Sequence, residues 1–574
     1  MQPGIPILKE GGRKFDVNEA WKYNMTSAVL VADLVKTAIG PHGHYKILVD
    51  YLDNVKITSR GATILRKLTE NTGPRQDERQ RPYQDNPCVK HLVESGLALY
   101  GEVGDGVITS VSLTGALLEQ AAELIRMKVH RNVIESGYRF ALSKALETLH
   151  SIKIPMPSSN ASFISSVLKT TLSKHFVGIE AAGALARILT EAYFTLLKNN
   201  GGDLSKLDFS KTLQIVVKAG SSTWEPSLIY GIIVDKQLKH PLLPRRVTNA
   251  KIALIDFHMS VNKPKYLHEV KLTSPAAVAS LKREEDAILA EMAEKLYKLG
   301  VNAVFCNKSI DDRLLYMLGR RNILAVRDVH RVDFEMLEKS CSARIVHSVD
   351  ELKLEDLGYA ELVEERDIGA ETWIFVEGCR APKAVSILIR GGSYWFAEEV
   401  KEIVKSALKM LRSTLLNGFV LPGGAASEVY VAERLKMLAA ELKDKRQFVV
   451  EAFAKALEKN VLNLLGTAGV DPLKALADIR HLQSLNGVNN GFDLIARQVA
   501  DVVEKGIMDS LVVKETAWKT AVETACSILR VDEVFWAGRR AWKDLPKISE
   551  KSMDTSRKGL IGEPGSVPMY GEPY

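Results

Sequence analysis

Gly101-Glu102-Val103-Gly104-Asp105-Gly106-Val107-Ile108-Thr109-Ser110 interrupts two apolar runs of helical period, Cys88 to Tyr100 before it and Ser110 to Lys128 after it. Two glycines around an aspartate predict a tight turn between helices, with Thr109 and Ser110 in the first turn of the second. Backbone N–H groups at such a helix start, together with the helix dipole, favour an anion. Asp105 is suited to hold Mg²⁺ there, because that ion takes one or two carboxylates plus substrate oxygens. A single glycine turn is usually only a turn, so the neighbours decide its meaning.

Two other turns have the same character. Gly40-Pro41-His42-Gly43 stops a helix carrying Ala28, Val29, Val31, Ala32, Leu34 and Val35 through Ile39. Pro422-Gly423-Gly424-Ala425-Ala426 runs into a helix predicted to start near Ser427. Between the first turn and Gly104, strands Lys46 to Val49 and Asn54 to Thr58 form a hairpin through Tyr51-Leu52-Asp53, and a helix runs from Gly61 through Leu68. Asn71 to Asn86 reads as a polar exposed loop or insertion.

Beyond about Leu197 the pattern changes. Gln214 to Val217, Gly231 to Val234 and Lys251 to Ile255 are short β-branched runs among helical stretches. The clearest unit is a helix from Ser274 to Leu299, strand Ala303 to Cys306, helix Ile310 to Gly319 and strand Ile323 to Val326, which predicts a parallel pair in an α/β domain. From Ser393, a plausible N-cap, the chain is helical again. Phe396, Val400, Ile403, Val404, Ala407, Leu408, Leu411 and Leu415 form one stripe that ends at Gly418. Helical ends around an α/β middle predict a discontinuous helical domain with the rest inserted. The expected fold class is mixed α/β and multidomain.

Composition narrows the function. The 574 residues exceed a single core, 46% are hydrophobic, and no run of about 18 apolar residues predicts a membrane span. The first residues lack a basic segment followed by an apolar one, so no secretory signal is expected. Cys88, Cys306, Cys341, Cys379 and Cys526 are far apart with no CxxC pair, which predicts reduced cytosolic thiols, not a zinc site or disulfides. The net charge of +7 comes without a Lys/Arg block, so no nucleic-acid partner is expected. There is no GxxxxGK[ST], HExxH, GxSxG or strand-borne GxGxxG.

Read in order, the segments resemble the group II chaperonins, the family of the archaeal thermosome and the eukaryotic cytosolic chaperonin. Ile39-Gly40-Pro41-His42-Gly43-His44-Tyr45-Lys46 resembles its LGPxGMDK, and Ile57-Thr58-Ser59-Arg60-Gly61-Ala62-Thr63-Ile64-Leu65 its TNDGATIL. Gly104 to Ser110 resembles GDGTTS, Asp356 to Glu365 DLGxAxLVEE, and Phe375 to Cys379 IFVEGC. Arg390-Gly391-Gly392 matches RGG, and Leu421 to Ala426 nearly matches VPGGGA. The resemblance runs from Pro6 to Val534.

It implies a subunit of a double-ring, cytoplasmic folding chamber that binds ATP with Mg²⁺, takes unfolded or partly folded proteins, and assembles with other chaperonin subunits in rings of eight or nine. The implied domains are an equatorial ATP-binding domain (1–149 and 409–574, with 544–574 a mobile tail), an intermediate domain (150–219 and 374–408) and an apical substrate-binding domain (220–373) with a built-in lid at about 258–299. Phosphates would lie on Gly40, Pro41, Gly104, Asp105, Gly106, Thr109, Ser110 and Gly424, with Asp105 on the metal. Asp509 takes the place of the ribose-contacting acid, and Lys174 sits near the lysine that senses the terminal phosphate.

The sequence departs from the family where water is activated. Two carboxylates orient the attacking water in the family; Arg60 and Ser406 occupy their positions. Val107 and Ile108 replace two threonines after the aspartate. A guanidinium does not deprotonate in proteins, so Arg60 is no base. The expectation is a subunit that binds ATP with impaired or lost hydrolysis; the alternative is a non-hydrolysing structural or client-holding subunit beside active paralogues. Two rescues stay open: Arg60 turned to solvent with Asp53 substituting, or Glu402, one helical turn before Ser406, reaching the water.

Overall fold

A computed structural model of the chain describes residues 13–15, 17–49, 53–70, 86–174, 179–204, 207–219, 225–261, 275–368, 371–391 and 394–536. The expected 544–574 tail, Ser393, most of the 71–86 loop and the 262–274 part of the expected lid lie outside the described residues. Asn86 does not belong to an exposed loop: it is fully buried, and its side chain caps the next helix by accepting from the Cys88 N–H.

Both ends of the chain build one helical unit. Helices Val17–Lys36, Pro87–Val103, Val107–Arg126 and Arg131–Ser151 pack with Ala426–Glu441, Arg446–Thr467 and Leu511–Arg530. One apolar core joins them, including Leu117, Tyr138, Phe453 and Trp518, with the Tyr138 and Phe453 rings edge to face at 6.1 Å. Strand Arg13–Phe15 pairs antiparallel with Val534–Trp536, so the two ends close on each other. The first helix stops at Lys36, three residues before the predicted Ile39. There the chain turns back, His44 N–H reaching the Thr37 carbonyl at 2.8 Å.

Next comes a smaller unit. Strand Val385–Gly391 lies between Leu213–Ala219, parallel to it, and Glu225–Ile229, antiparallel. The predicted stripe of helix Tyr394–Asn417 is buried here: Val400, Ile403, Val404, Ala407 and Leu411 pack with Leu168, Leu185, Leu189 and Tyr193.

The third unit is a seven-stranded sheet ordered Leu324–Val326, Ala303–Cys306, Arg246–Ile255, Gly358–Ile368, Glu371–Glu377, Gly231–Val234, with Ile345–Val346 beside Arg246–Ile255. The predicted parallel pair is present, in register Val304 to Ala325. Every residue of Ala303–Cys306 is buried because helices cover both faces, which explains its unbroken apolar run. The last three strands of that order pair antiparallel; Gly231–Val234 falls on one of the predicted β-branched runs, but the antiparallel pairing is not predicted by the sequence pattern. Gly231 is forced: a Cβ there would stand 1.8 Å from the Val376 carbonyl oxygen. Pairing puts Glu225–Ile229 in the smaller sheet and Glu371–Glu377 in the larger one.

All five cysteines are free and buried. Among the described residues no helix is long and apolar enough to cross a membrane.

Candidate functional site

The glycine turns owe their geometry to close approaches. Gly104 ends its helix at φ 83°, its N–H on the Tyr100 carbonyl at 3.1 Å, and Gly106 opens the next at φ 87°. Both lie in the left-handed region that L side chains avoid. A Cβ on Gly104 would meet the Ser406 carbonyl oxygen at 2.9 Å; one on Gly424 (φ 56°) would meet the Phe492 carbonyl oxygen at 2.5 Å. Asp105 Oδ1 accepts the Gly106 N–H at 2.7 Å.

These turns surround one cavity of about 540 Å³, within the usual span for small-molecule sites. Gly40, Pro41, Arg60, Gly104, Asp105, Gly106, Thr109, Lys174, Ser406, Gly424 and Asp509 all line it. Ser110 does not: it is buried, in the first turn of its helix. The sequence reading missed the wall made by Phe492, Asp493 and Leu494 next to the hairpin Asn490–Asp493/Gln498–Asp501, and also missed Thr170, Glu428, Asn460, Lys505 and Lys514. One signal was available, a lone lysine after the apolar run Leu511-Val512-Val513, which is how a buried, paired Lys514 reads.

Two lysines cross the cavity floor. Lys174 Nζ is 3.3 Å from Asp105 Oδ2 and 3.5 Å from Asp509 Oδ1. Lys514 Nζ, almost wholly buried, is 3.0 Å from Asp509 Oδ2, 2.8 Å from Glu428 Oε1 and 2.7 Å from the Ser427 hydroxyl. Burial pushes Asp509 towards its neutral form, but the charges of Lys514 and then Lys174, with their hydrogen bonds, outweigh it and hold the carboxyl well below its ordinary range. Burial likewise works against charge on Lys514, and Asp509 and Glu428 reverse the sign, so its ammonium is held charged to higher pH.

A pH dependence follows. A depressed carboxyl stabilises the fold above its unfolded pKa of about 3.9 and loses that contribution as pH falls through the folded value. The raised lysine contributes below about pH 10.4 and loses it as pH rises through its folded value. Urea midpoints measured from pH 5 down to pH 2 are expected to fall more steeply for the unaltered protein than for Asp509→Asn. Parallel curves would show that Asp509 carries no such linkage.

Arg60 also lines the cavity and is only 5% exposed, so it does not turn to solvent. Its Nη2 donates to the Tyr100 hydroxyl at 3.0 Å and to Ser406 Oγ at 3.1 Å, and those two oxygens are 3.0 Å apart. Glu402 Oε2 stands 3.7 Å from Nη1. Thr58 Oγ1 donates to Glu399 Oε1 at 2.6 Å. Glu399, Glu402 and Ser406 lie on successive turns of the Tyr394–Asn417 helix, and of the three Ser406 lines the cavity. Neither proposed rescue is in place. Asp53 is exposed and outside the lining, and Glu402 is outside it too, engaged by Arg60 and by Lys405 at 2.8 Å. Burial pushes Glu402 up, yet the Lys405 hydrogen bond and the Lys405 and Arg60 charges bring its pKa below the ordinary value, which makes it a weaker proton acceptor.

The profile of the TCP-1/cpn60 chaperonin family matches residues 31–539. The chain belongs to that family. It is 36% identical to thermosome subunit alpha of Saccharolobus solfataricus over the full length of both chains (100% of each). It is 37% identical to thermosome subunit beta of Aeropyrum pernix, over 92% of this chain and 94% of that one. Against the thermosome subunit of Pyrococcus horikoshii identity is 36%, over 93% and 94%. As a family member the chain is a group II chaperonin subunit, a protein that assists folding. The chaperonin's cavity also suits a nucleotide with its metal. Its helix-start N–H groups favour phosphate, and Mg²⁺ needs few protein ligands when phosphate oxygens supply the rest. Among the described residues no cluster of three or more metal-ligating side chains exists.

Proposed function

We propose that this chaperonin subunit binds ATP in the 540 Å³ cavity and hydrolyses it slowly or not at all. Gly40, Pro41, Gly104, Gly106, Thr109 and Gly424 would cradle the phosphates, Asp509 the ribose, and Asp105 the Mg²⁺, whose contribution when bound is to neutralise phosphate charge. Lys174 bridges Asp105 and Asp509, 3.3 Å and 3.5 Å away. The observation that carries the impaired-hydrolysis reading is the buried contact of Arg60 with Ser406. The two positions that should present carboxylates to a water instead satisfy each other, as cation and hydroxyl. Loss of a positioned base costs on the order of 10²–10⁴ in rate.

The helical unit would then be the equatorial domain, the three-stranded unit the intermediate hinge, and the seven-stranded unit the apical domain with helix Pro275–Lys298 as part of its lid. The expected setting is a cytoplasmic double ring of eight or nine subunits per ring around unfolded proteins. Active paralogues would supply turnover in a mixed ring, since this subunit's own site lacks the carboxylates.

The test is direct. Titrating the purified, assembled protein with a fluorescent ATP analogue is expected to show saturable binding. Phosphate release is expected below about a hundredth of that of an ordinary thermosome. Turnover at the ordinary rate defeats the impaired-site reading, and absence of binding defeats the nucleotide reading.

A further inference from the structure

Arg60 brings a full positive charge to a cavity wall where its own surroundings under-use it. The guanidinium has five N–H donors. Among the described residues two hydrogen bonds are made, both from Nη2 and both to neutral hydroxyls, Tyr100 and Ser406. Nε and Nη1 donate to no described residue. Among the described residues the one carboxylate within 4.0 Å is that of Glu402, 3.7 Å from Nη1, too far for a hydrogen bond and shared with Lys405. An arginine side chain only 5% exposed with so loose a counter-charge is costly unless an anion joins it.

The place for that anion is adjacent. Arg60 lines the cavity together with Tyr100, Ser406, Gly104 and Asp105. Gly61, its neighbour in the chain, lies against the start of the Val107–Arg126 helix, where a Cβ would be 2.7 Å from Ile108. On the other side the Ser406 backbone abuts Gly104. The cation therefore sits beside the Gly104-Asp105-Gly106 turn, with a planar fork that matches phosphoryl oxygens. The Tyr100 and Ser406 hydroxyls hold that fork in one orientation, Ser406 Oγ itself donating to the Glu402 carbonyl at 2.9 Å.

We infer that Arg60, oriented by Tyr100 and Ser406, forms a phosphoryl-oxyanion subsite that makes this pocket select a triphosphate over a diphosphate. The inference rests on the nucleotide reading above and adds a direction to it. Arg60 does not only remove a base; it converts the water-activating corner into a site that grips the terminal phosphoryl group in the ground state. Equal grip before and during reaction holds the ligand without speeding turnover.

The experiment measures affinities of AMP-PNP, ADP and inorganic phosphate for the full-length assembled protein by titration calorimetry, with Arg60→Met, Arg60→Gln and Arg60→Lys beside the unaltered chain. Arg60→Gln keeps a donor towards Tyr100 and Ser406, and so tests the charge if the methionine variant fails to fold. The expected result is a preference for AMP-PNP over ADP of about tenfold or more in the unaltered protein, the worth of a charge-assisted contact. That preference collapses towards unity in the methionine and glutamine variants and is partly restored with lysine, while ADP affinity stays within about threefold. An unchanged preference in the glutamine variant overturns the subsite. If no nucleotide binds at all, the nucleotide reading fails by itself. Phosphate binding that depends on Arg60 would then still support an oxyanion subsite, and its absence would overturn that as well.

Discussion

Arg60→Asp combined with Ser406→Asp is expected to raise ATP hydrolysis by this subunit about 100-fold or more, the low end of what a positioned base supplies. The single variants should not share that gain equally. Ser406→Asp alone would put a carboxylate about 3 Å from the Arg60 guanidinium, where Ser406 Oγ now lies at 3.1 Å. Such a pair depresses the new carboxyl's pKa and fixes it in a salt bridge, leaving a poor proton acceptor. Arg60→Asp alone removes the cation but leaves a hydroxyl opposite. Only the double change gives two carboxylates free to orient water, so the effects should be strongly non-additive. The cost is crowding of like charge with Glu402 and with Glu399, whose Oε2 is already buried without a hydrogen-bond partner. Some loss of stability is expected, and rates are best read at saturating MgATP. Phosphate release unchanged in a folded double variant would place the block elsewhere, with Val107 and Ile108 the next positions to examine.

The largest expected effect on stability is at Lys514. Its side chain is 6% exposed, and its ammonium stands between Asp509 and Glu428. Lys514→Met keeps much of the packing volume yet leaves Asp509 with Lys174 alone and Glu428 without its buried partner. Removing one member of a buried ion cluster costs about 3–5 kcal/mol, most of it the penalty on the charge left behind. The denaturant midpoint of Lys514→Met should fall accordingly at pH 7 and recover in part in Lys514→Met with Glu428→Gln, which neutralises the stranded group. Equal midpoints for the single and double variants would show that Glu428 is not the group being stabilised.

Much of this was legible because it is local. The apolar stripe on Tyr394–Asn417 and the parallel pair at Ala303–Cys306 follow from side-chain period. The glycine turns follow from backbone conformations only glycine adopts readily. Their gathering around one cavity came from the family resemblance and not from spacing, since Gly40 and Gly424 are far apart in the chain. What escaped was non-local. Phe492 to Leu494 gave no sign of lining the cavity, because Asn489-Asn490-Gly491 reads as turn chemistry and a four-residue hairpin has little period to detect. The antiparallel half of the large sheet depends on pairing, which alternation alone does not specify. Arg60 was the sharpest ambiguity. An arginine in a loop is usually at the surface, and only the neighbours Tyr100 and Ser406, 40 and 346 positions away, decide that it is inside.

The pairing of Arg13–Phe15 with Val534–Trp536, and the core those ends share, has a consequence for how the molecule comes into being. Helices Val17–Lys36 to Arg131–Ser151 leave the ribosome first, but the surfaces they pack on, Ala426–Glu441 and Leu511–Arg530, are made last. At ordinary rates of synthesis that interval is on the order of tens of seconds. During it the newborn amino-terminal helices carry bare apolar faces. A protein whose family tends other chains through such exposure must pass through a long episode of the same kind itself.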